Sequence, residues 1–180
     1  MKEVRSPIER PPIRRISEQD LFRELYRVAC YFHASGSISS AEDEVGRIPA
    51  LQLLAEEVQE CEIVTSLLNA SIRMRLLDEQ LWEKSDKIRQ SFASIVGTLW
   101  EPQTGTAGSD LSVREACNKI VHASDIGFFV DETKYNEACM LPRFLKPRIA
   151  VYGTRGQIAW RAEVSINGLV EAGYCLAGYA

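Results

Sequence analysis

Near Ser124 the spacing of apolar residues changes period, and that change constrains the chain more than any other feature. Before it, Leu21, Phe22, Leu25, Tyr26, Ala29 and Phe32 recur every three or four positions, as one side of a helix requires. After it, Ile158, Trp160, Ala162, Val164 and Ile166 alternate with Ala159, Arg161, Glu163 and Ser165, the pattern of a half-buried strand. Helices followed by strands predict an α+β chain, mainly α: a helical bundle of about four helices, then a small antiparallel β-hairpin or sheet of two or three strands across residues 126–166.

The helices are marked by their ends. Ser17 is placed to cap the first, with Glu18 and Asp20 at its positive end and Ile16 and Leu21 at staple positions, and the pattern runs to Gly36. Ala34 to Arg47, with its Gly, Ser and acidic residues, reads as a loop. A long helix follows from Pro49. Leu51, Leu54, Val58, Cys61, Leu68 and Ile72 form one stripe on it, and Leu53, Val64, Leu67, Met74 and Leu77 a second. So wide an apolar surface implies burial among several helices or in a homodimer.

A third helix is expected from Asp78 or Lys84 to Leu99, a loop from Glu101 to Asp110, and a fourth helix from Val113 to about Ala123. Strands are expected at Ile126 to Val130, Arg148 to Gly153 and Ile158 to Ile166. Thr154-Arg155-Gly156 would turn the last hairpin, and a short terminal helix could follow in Asn167 to Ala180. Residues 1–16 form a flexible basic arm, and residues 17–180 one domain, divided into a bundle (17–124) and a hairpin with a C-terminal segment (125–180).

Composition narrows the class. At 180 residues and 46% hydrophobic content the chain matches one globular domain that folds without staples. No apolar run reaches the roughly 18–20 residues of a membrane span, and the N-terminal residues lack the apolar core of a signal peptide, so a cytoplasmic protein without membrane contact is expected. Cys30, Cys61, Cys117, Cys139 and Cys175 are odd in number and include no Cys-x-x-Cys pair, so reduced thiols are expected rather than a disulfide framework or zinc site. The formal charge of −4 is unevenly spread: residues 1–16 carry five bases and two acids, residues 17–110 eight bases and 16 acids. That acidic body argues against a broad nucleic-acid footprint, though not against a local site. The glycines of Thr-Gly-Thr-Ala-Gly-Ser lack phosphate-loop spacing. Hydrolase triads, metal centres and flavin or nicotinamide sites find no motif, so neither cofactor nor metal is expected.

One polar constellation stands out, on the fourth helix. Ser112 and Glu115 fit a capping box, which starts the helix at Val113. Val113, Ala116, Cys117, Ile120 and Val121 then gather on one side, and Arg114, Asn118 and His122 form a stripe along the flank. Such a stripe is the ordinary content of an exposed helix face, but its chemistry is also specific. His122 can pass a proton at neutral pH, Arg114 can stabilise charge on a phosphate, and Asn118 can orient the imidazole. Together they suit metal-free cleavage of RNA through its own 2′-hydroxyl. His33, near the end of the first helix, is expected to cap its carbonyls, and Trp82, Trp100 and Trp160 to sit in the core rather than stack on bases.

At these residues the sequence resembles the HEPN superfamily, helical domains of which many are metal-independent ribonucleases of toxin and phage-defence systems. Their hallmark is an Arg, a polar residue and a His near the start of a late helix. Asn118 and His122 match the last two. Cys117 occupies the position expected for the arginine, and Arg114 lies one turn earlier. The resemblance covers residues 17–124 and implies a symmetric homodimer with a composite cleft, an endoribonuclease or a non-cleaving RNA-binding relative, and a supporting carboxylate on the long helix among Glu56, Glu57 and Glu60. The displaced arginine favours the non-cleaving relative. The alternative is a dimerisation or protein-interaction module in which the stripe serves structure alone.

Overall fold

The computed structural model describes residues 18–39, 50–81, 86–102, 105–130 and 145–177. They form helices α1 (Glu18–Ser39), α2 (Ala50–Leu81) and α3 (Asp86–Ala93), strands β1 (Ile95–Trp100) and β2 (Ser109–Ser112), helix α4 (Val113–Val121), strands β3 (Asp125–Val130), β4 (Leu145–Arg155) and β5 (Ile158–Ser165), and helix α5 (Ile166–Ala177). The class is α+β and mainly α.

The expected bundle followed by a hairpin is not what forms. All neighbouring strands are antiparallel in one five-stranded sheet of order β2-β1-β5-β4-β3, and two of its strands come from residues expected to be helix and loop. Ile88, Phe92, Ile95, Val96 and Leu99 keep a helical spacing, so periodicity alone carries the third helix through to Leu99. Tertiary pairing overrides it. The helix stops at Ala93, and the β-branched pair Ile95-Val96 leads into a strand whose Gly97 and Leu99 lie opposite Val164 and Ala162 of β5. Ser109–Ser112 completes this hairpin and forms the sheet's β2 edge.

Other boundaries follow expectation more closely. α1 continues through Gly36 to Ser39, so the first residues of the expected loop are helical, while Ser17, Pro49 and the basic arm lie outside the described residues. The β4–β5 hairpin turns through two residues, Gly156 and Gln157, between the paired Arg155 and Ile158, and Gly156 takes a φ of +64° that a side chain would resist. The terminal helix is present as α5.

The core lies between the helices and one sheet face. Ile149, Val151, Trp160, Ala162 and Val164 point inward from β4 and β5 to meet Leu21, Leu25 and Phe32 of α1, Ile120 of α4 and Leu169 and Leu176 of α5. Ser35 secures the layers: its hydroxyl donates to the Phe32 carbonyl (2.7 Å) and accepts the Leu145 amide (3.1 Å), so the buried start of β4 is satisfied by α1. The opposite sheet face is polar and aromatic, with Arg161 set 4.8 Å from the Trp100 ring and 6.0 Å from the Tyr152 ring.

α2 packs chiefly on α1 and α4, behind the layer that meets the sheet. It buries Ile63, Leu67, Ala70, Met74 and Leu77. Its other stripe stays in solvent, with Leu54 56%, Val58 48% and Ile72 43% exposed.

Candidate functional site

The local chemistry that builds α4 is as the sequence implies. Ser112 is the N-cap, its hydroxyl accepting the Glu115 amide at 3.3 Å, and the Val113 amide donates to the Ser94 carbonyl at 2.9 Å, which fastens the helix to the entry of β1. Val113, Ala116, Cys117 and Ile120 are fully buried, which turns the Arg114, Asn118 and His122 flank outward. His122 is the exposed C-cap residue; its backbone amide reaches the Asn118 carbonyl at 3.1 Å. Asn118 is half-buried.

The three side chains share a flank without converging on a point. His122 lies eight positions after Arg114, which is about 12 Å along the helix axis. Arg114 is also engaged: its Nη2 donates to Asp78 Oδ2 of α2 at 2.5 Å. Asp78 is buried, and burial raises its carboxyl above the usual carboxylate range against the opposing pull of the Arg114 guanidinium. Its Oδ1 has no hydrogen-bond partner among the described residues. The pair clamps α4 to α2.

The carboxylate of the long helix that pairs with Arg114 is Asp78, an acid not considered from the sequence. Glu57 and Glu60 are exposed in the N-terminal half of α2, and the Glu56 side chain lies outside the described residues. A signal was available, since Asp78 falls on the same phase as the buried Ala70, Ser71 and Met74. Cys117 is fully buried. Its thiol lies 4.0 Å from the Met74 sulfur, and burial pushes its pKa up to about 12, so it is an inert core group.

Lys119 is the functional-looking residue that helix phase conceals. It is 7% exposed, with Nζ 3.0 Å from Glu101 Oε1, 3.5 Å from Glu115 Oε1 and 4.5 Å from the Trp160 ring centre. Its charge is fully engaged, and it joins α4 to the end of β1. His33 does not cap α1: its Nε2 stands 3.1 Å from Asn167 Oδ1, tying α1 to α5. Trp160 is in the core as expected. Trp100 instead lies half-buried on the open sheet face, its indole donating to the Thr106 carbonyl, and Trp82 is outside the described residues.

Two concavities flank these elements. One, of about 400 Å³, lies between α2, α4 and β3, floored by Val64, Leu68, Ile120, Ile126 and Phe128. The other, of about 500 Å³, lies at the start of α5 beside Lys146 and Arg148. Among the described residues no group of three or more His, Cys, Asp or Glu is placed to hold a metal, and no helix is long and apolar enough to cross a membrane. The described cysteines Cys30, Cys61, Cys117 and Cys175 are free thiols. A scan against protein-family models, a search of curated proteins and a search of solved structures each find no match to this chain.

Proposed function

We propose that the protein is a non-enzymatic interaction module that self-associates through the outer face of α2. The observation that carries this reading is the exposed stripe of Leu54, Val58 and Ile72 on the outer side of α2, bordered by the exposed Cys61 and by Leu68, which packs against the core edge beside the α2–α4–β3 concavity. Scattered apolar side chains on a surface need no explanation, but a row along one helix line, broken only at Thr65, does. A second copy of the same face is the simplest cover for it.

The test is the double variant Val58→Glu/Ile72→Glu. Neither side chain is in the core, so the helical circular dichroism and melting temperature should stay close to wild type, while sedimentation shifts from a species heavier than the 20.2 kDa chain to the monomer. Association that persists unchanged in this variant places the interface elsewhere.

A second reading is that of a HEPN-like RNA-acting protein. It draws on the outward flank of α4, where His122 is exposed and the Arg114 side chain is 44% exposed. Under it His122 is the proton-transfer group, Arg114 the phosphate contact and Asn118 the orienting residue. The 12 Å separation and the Asp78 clamp weigh toward binding rather than cleavage within one protomer. If the purified protein cuts RNA in chelator, His122→Ala should lower the rate about 10²–10⁴-fold and His33→Ala should not. Cleavage indifferent to His122→Ala would remove the site.

A further inference from the structure

The charges beside the α2 stripe carry an orientation as well as a surface. Leu54, Val58, Cys61, Thr65, Leu68 and Ile72 follow one another at alternating steps of four and three, the spacing of a seam that meets another helix, and they span about 27 Å. On one flank of this seam lie Glu57 and, five turns on, Arg75. On the other lie Glu62 and, three turns on, Arg73. Both acids are in the N-terminal half and both bases in the C-terminal half.

We infer that two copies of the chain pair through α2 in antiparallel order, about a two-fold axis near Thr65; this rests on the self-association reading above. A parallel pair would set Glu57 and Glu62 against the same acids of the other copy, and Arg73 and Arg75 against the same bases. The antiparallel pair sets acid against base on each flank: Glu57 lies about 3 Å along the axis from the partner's Arg75, and Glu62 about 7.5 Å from the partner's Arg73. It also brings Leu54 to the partner's Leu76 and Val58 to the partner's Ile72, apolar against apolar, while Cys61 stands level with the partner's polar Asn69 and one residue from the partner's Leu68. The two helix dipoles then oppose one another, which is the favourable arrangement. Within its own chain Glu62 accepts from the Tyr31 hydroxyl at 3.4 Å, and Arg73 lies 3.6 Å from Asp20. Those contacts hold both side chains on their flank, and Glu62 stays exposed while Arg73 keeps 31% of its side chain in solvent.

Cys61 supplies a probe already in place, because it is exposed and at the seam. The experiment is Asn69→Cys in a background of Cys139→Ser and Cys175→Ser, with mild oxidation of the purified full chain and peptide mapping of the cross-linked species. Residues 61 and 69 stand about 12 Å apart along one helix, beyond the reach of a disulfide, so a bond between them joins two chains. The expected product is a dimer linked 61 to 69. Products linked 61 to 61 and 69 to 69 would overturn the orientation, and a chain that stays monomeric throughout would overturn the pairing. The charge arm is independent of thiols. Glu57→Arg/Glu62→Arg should weaken association about tenfold, and adding Arg73→Glu/Arg75→Glu to the same chain should restore it. If association is lost in Val58→Glu/Ile72→Glu yet the map shows parallel links, the self-association reading stands and this orientation falls. If association survives Val58→Glu/Ile72→Glu, both fall.

Discussion

Cys117→Arg is expected to abolish cooperative folding. The substitution would place an arginine at the position where the HEPN resemblance would put one. The geometry opposes it. Cys117 is fully buried beside Met74, in the layer where α4 meets α2. An arginine there must fit several extra heavy atoms into a close-packed interior, at about 1–3 kcal/mol, and bury a guanidinium whose penalty after relaxation is still several kcal/mol. A combined loss on the order of 5 kcal/mol matches the lower end of a domain's whole stability. Cys117→Ala, which removes one sulfur, should cost about 1 kcal/mol. Urea unfolding followed by circular dichroism checks both. An arginine variant that unfolds cooperatively near the wild-type midpoint would mean that α4 does not pack on this side.

The second large effect is expected at Gly97. β1 carries a bulge between Ile95 and Gly97, and Gly97 is paired with Leu111 of β2 on one side and Val164 of β5 on the other. A Cβ added there would stand 1.9 Å from the Glu163 carbonyl oxygen and 2.9 Å from its carbon. Both are backbone atoms of the central strand, and no rotamer change can relieve them. Gly97→Ala must therefore push β1 away from β5, at a cost of about 3 kcal/mol, less the fraction of a kcal/mol that alanine gains by restricting the unfolded chain. For a domain of this size that lowers the melting temperature by roughly 5–10 °C. Gly127→Ala is the control, since its nearest neighbour would be Tyr152 at an ordinary 3.6 Å. Equal melting temperatures for the two variants would show that the β1–β5 contact is looser than drawn.

These cases show where the sequence was readable. α4 was legible because Ser112 and a sharp apolar side mark both its start and its phase, and the β4–β5 hairpin because strict alternation brackets a glycine. β1 was not, because Ile95, Val96 and Leu99 satisfy helical and strand spacing alike. What decides between them is pairing with a strand more than 60 positions away. The site was legible to the same degree. Helix phase placed Arg114, Asn118 and His122 on one flank, but nothing local announces that Asp78 would arrive from α2 to hold the arginine, or that Asn167 would meet His33. The exposed stripe of α2 was visible as a surplus of apolar surface. Its position opposite the core is a property of the packed layers.

The sheet order has a consequence for how the chain is made. β5 is the last strand in the sequence and lies third of five in the sheet, between β1 and β4. As the chain leaves the ribosome, the β1–β2 hairpin and the β3–β4 hairpin both appear before the strand that joins them, and each carries an open edge. Neither hairpin alone can seal the interior, because Trp160, Ala162 and Val164 supply its middle. The closing strand follows the β2 edge by about 50 residues of sequence, so the sheet order is completed by β5 inserted between β1 and β4 rather than by growth from one side.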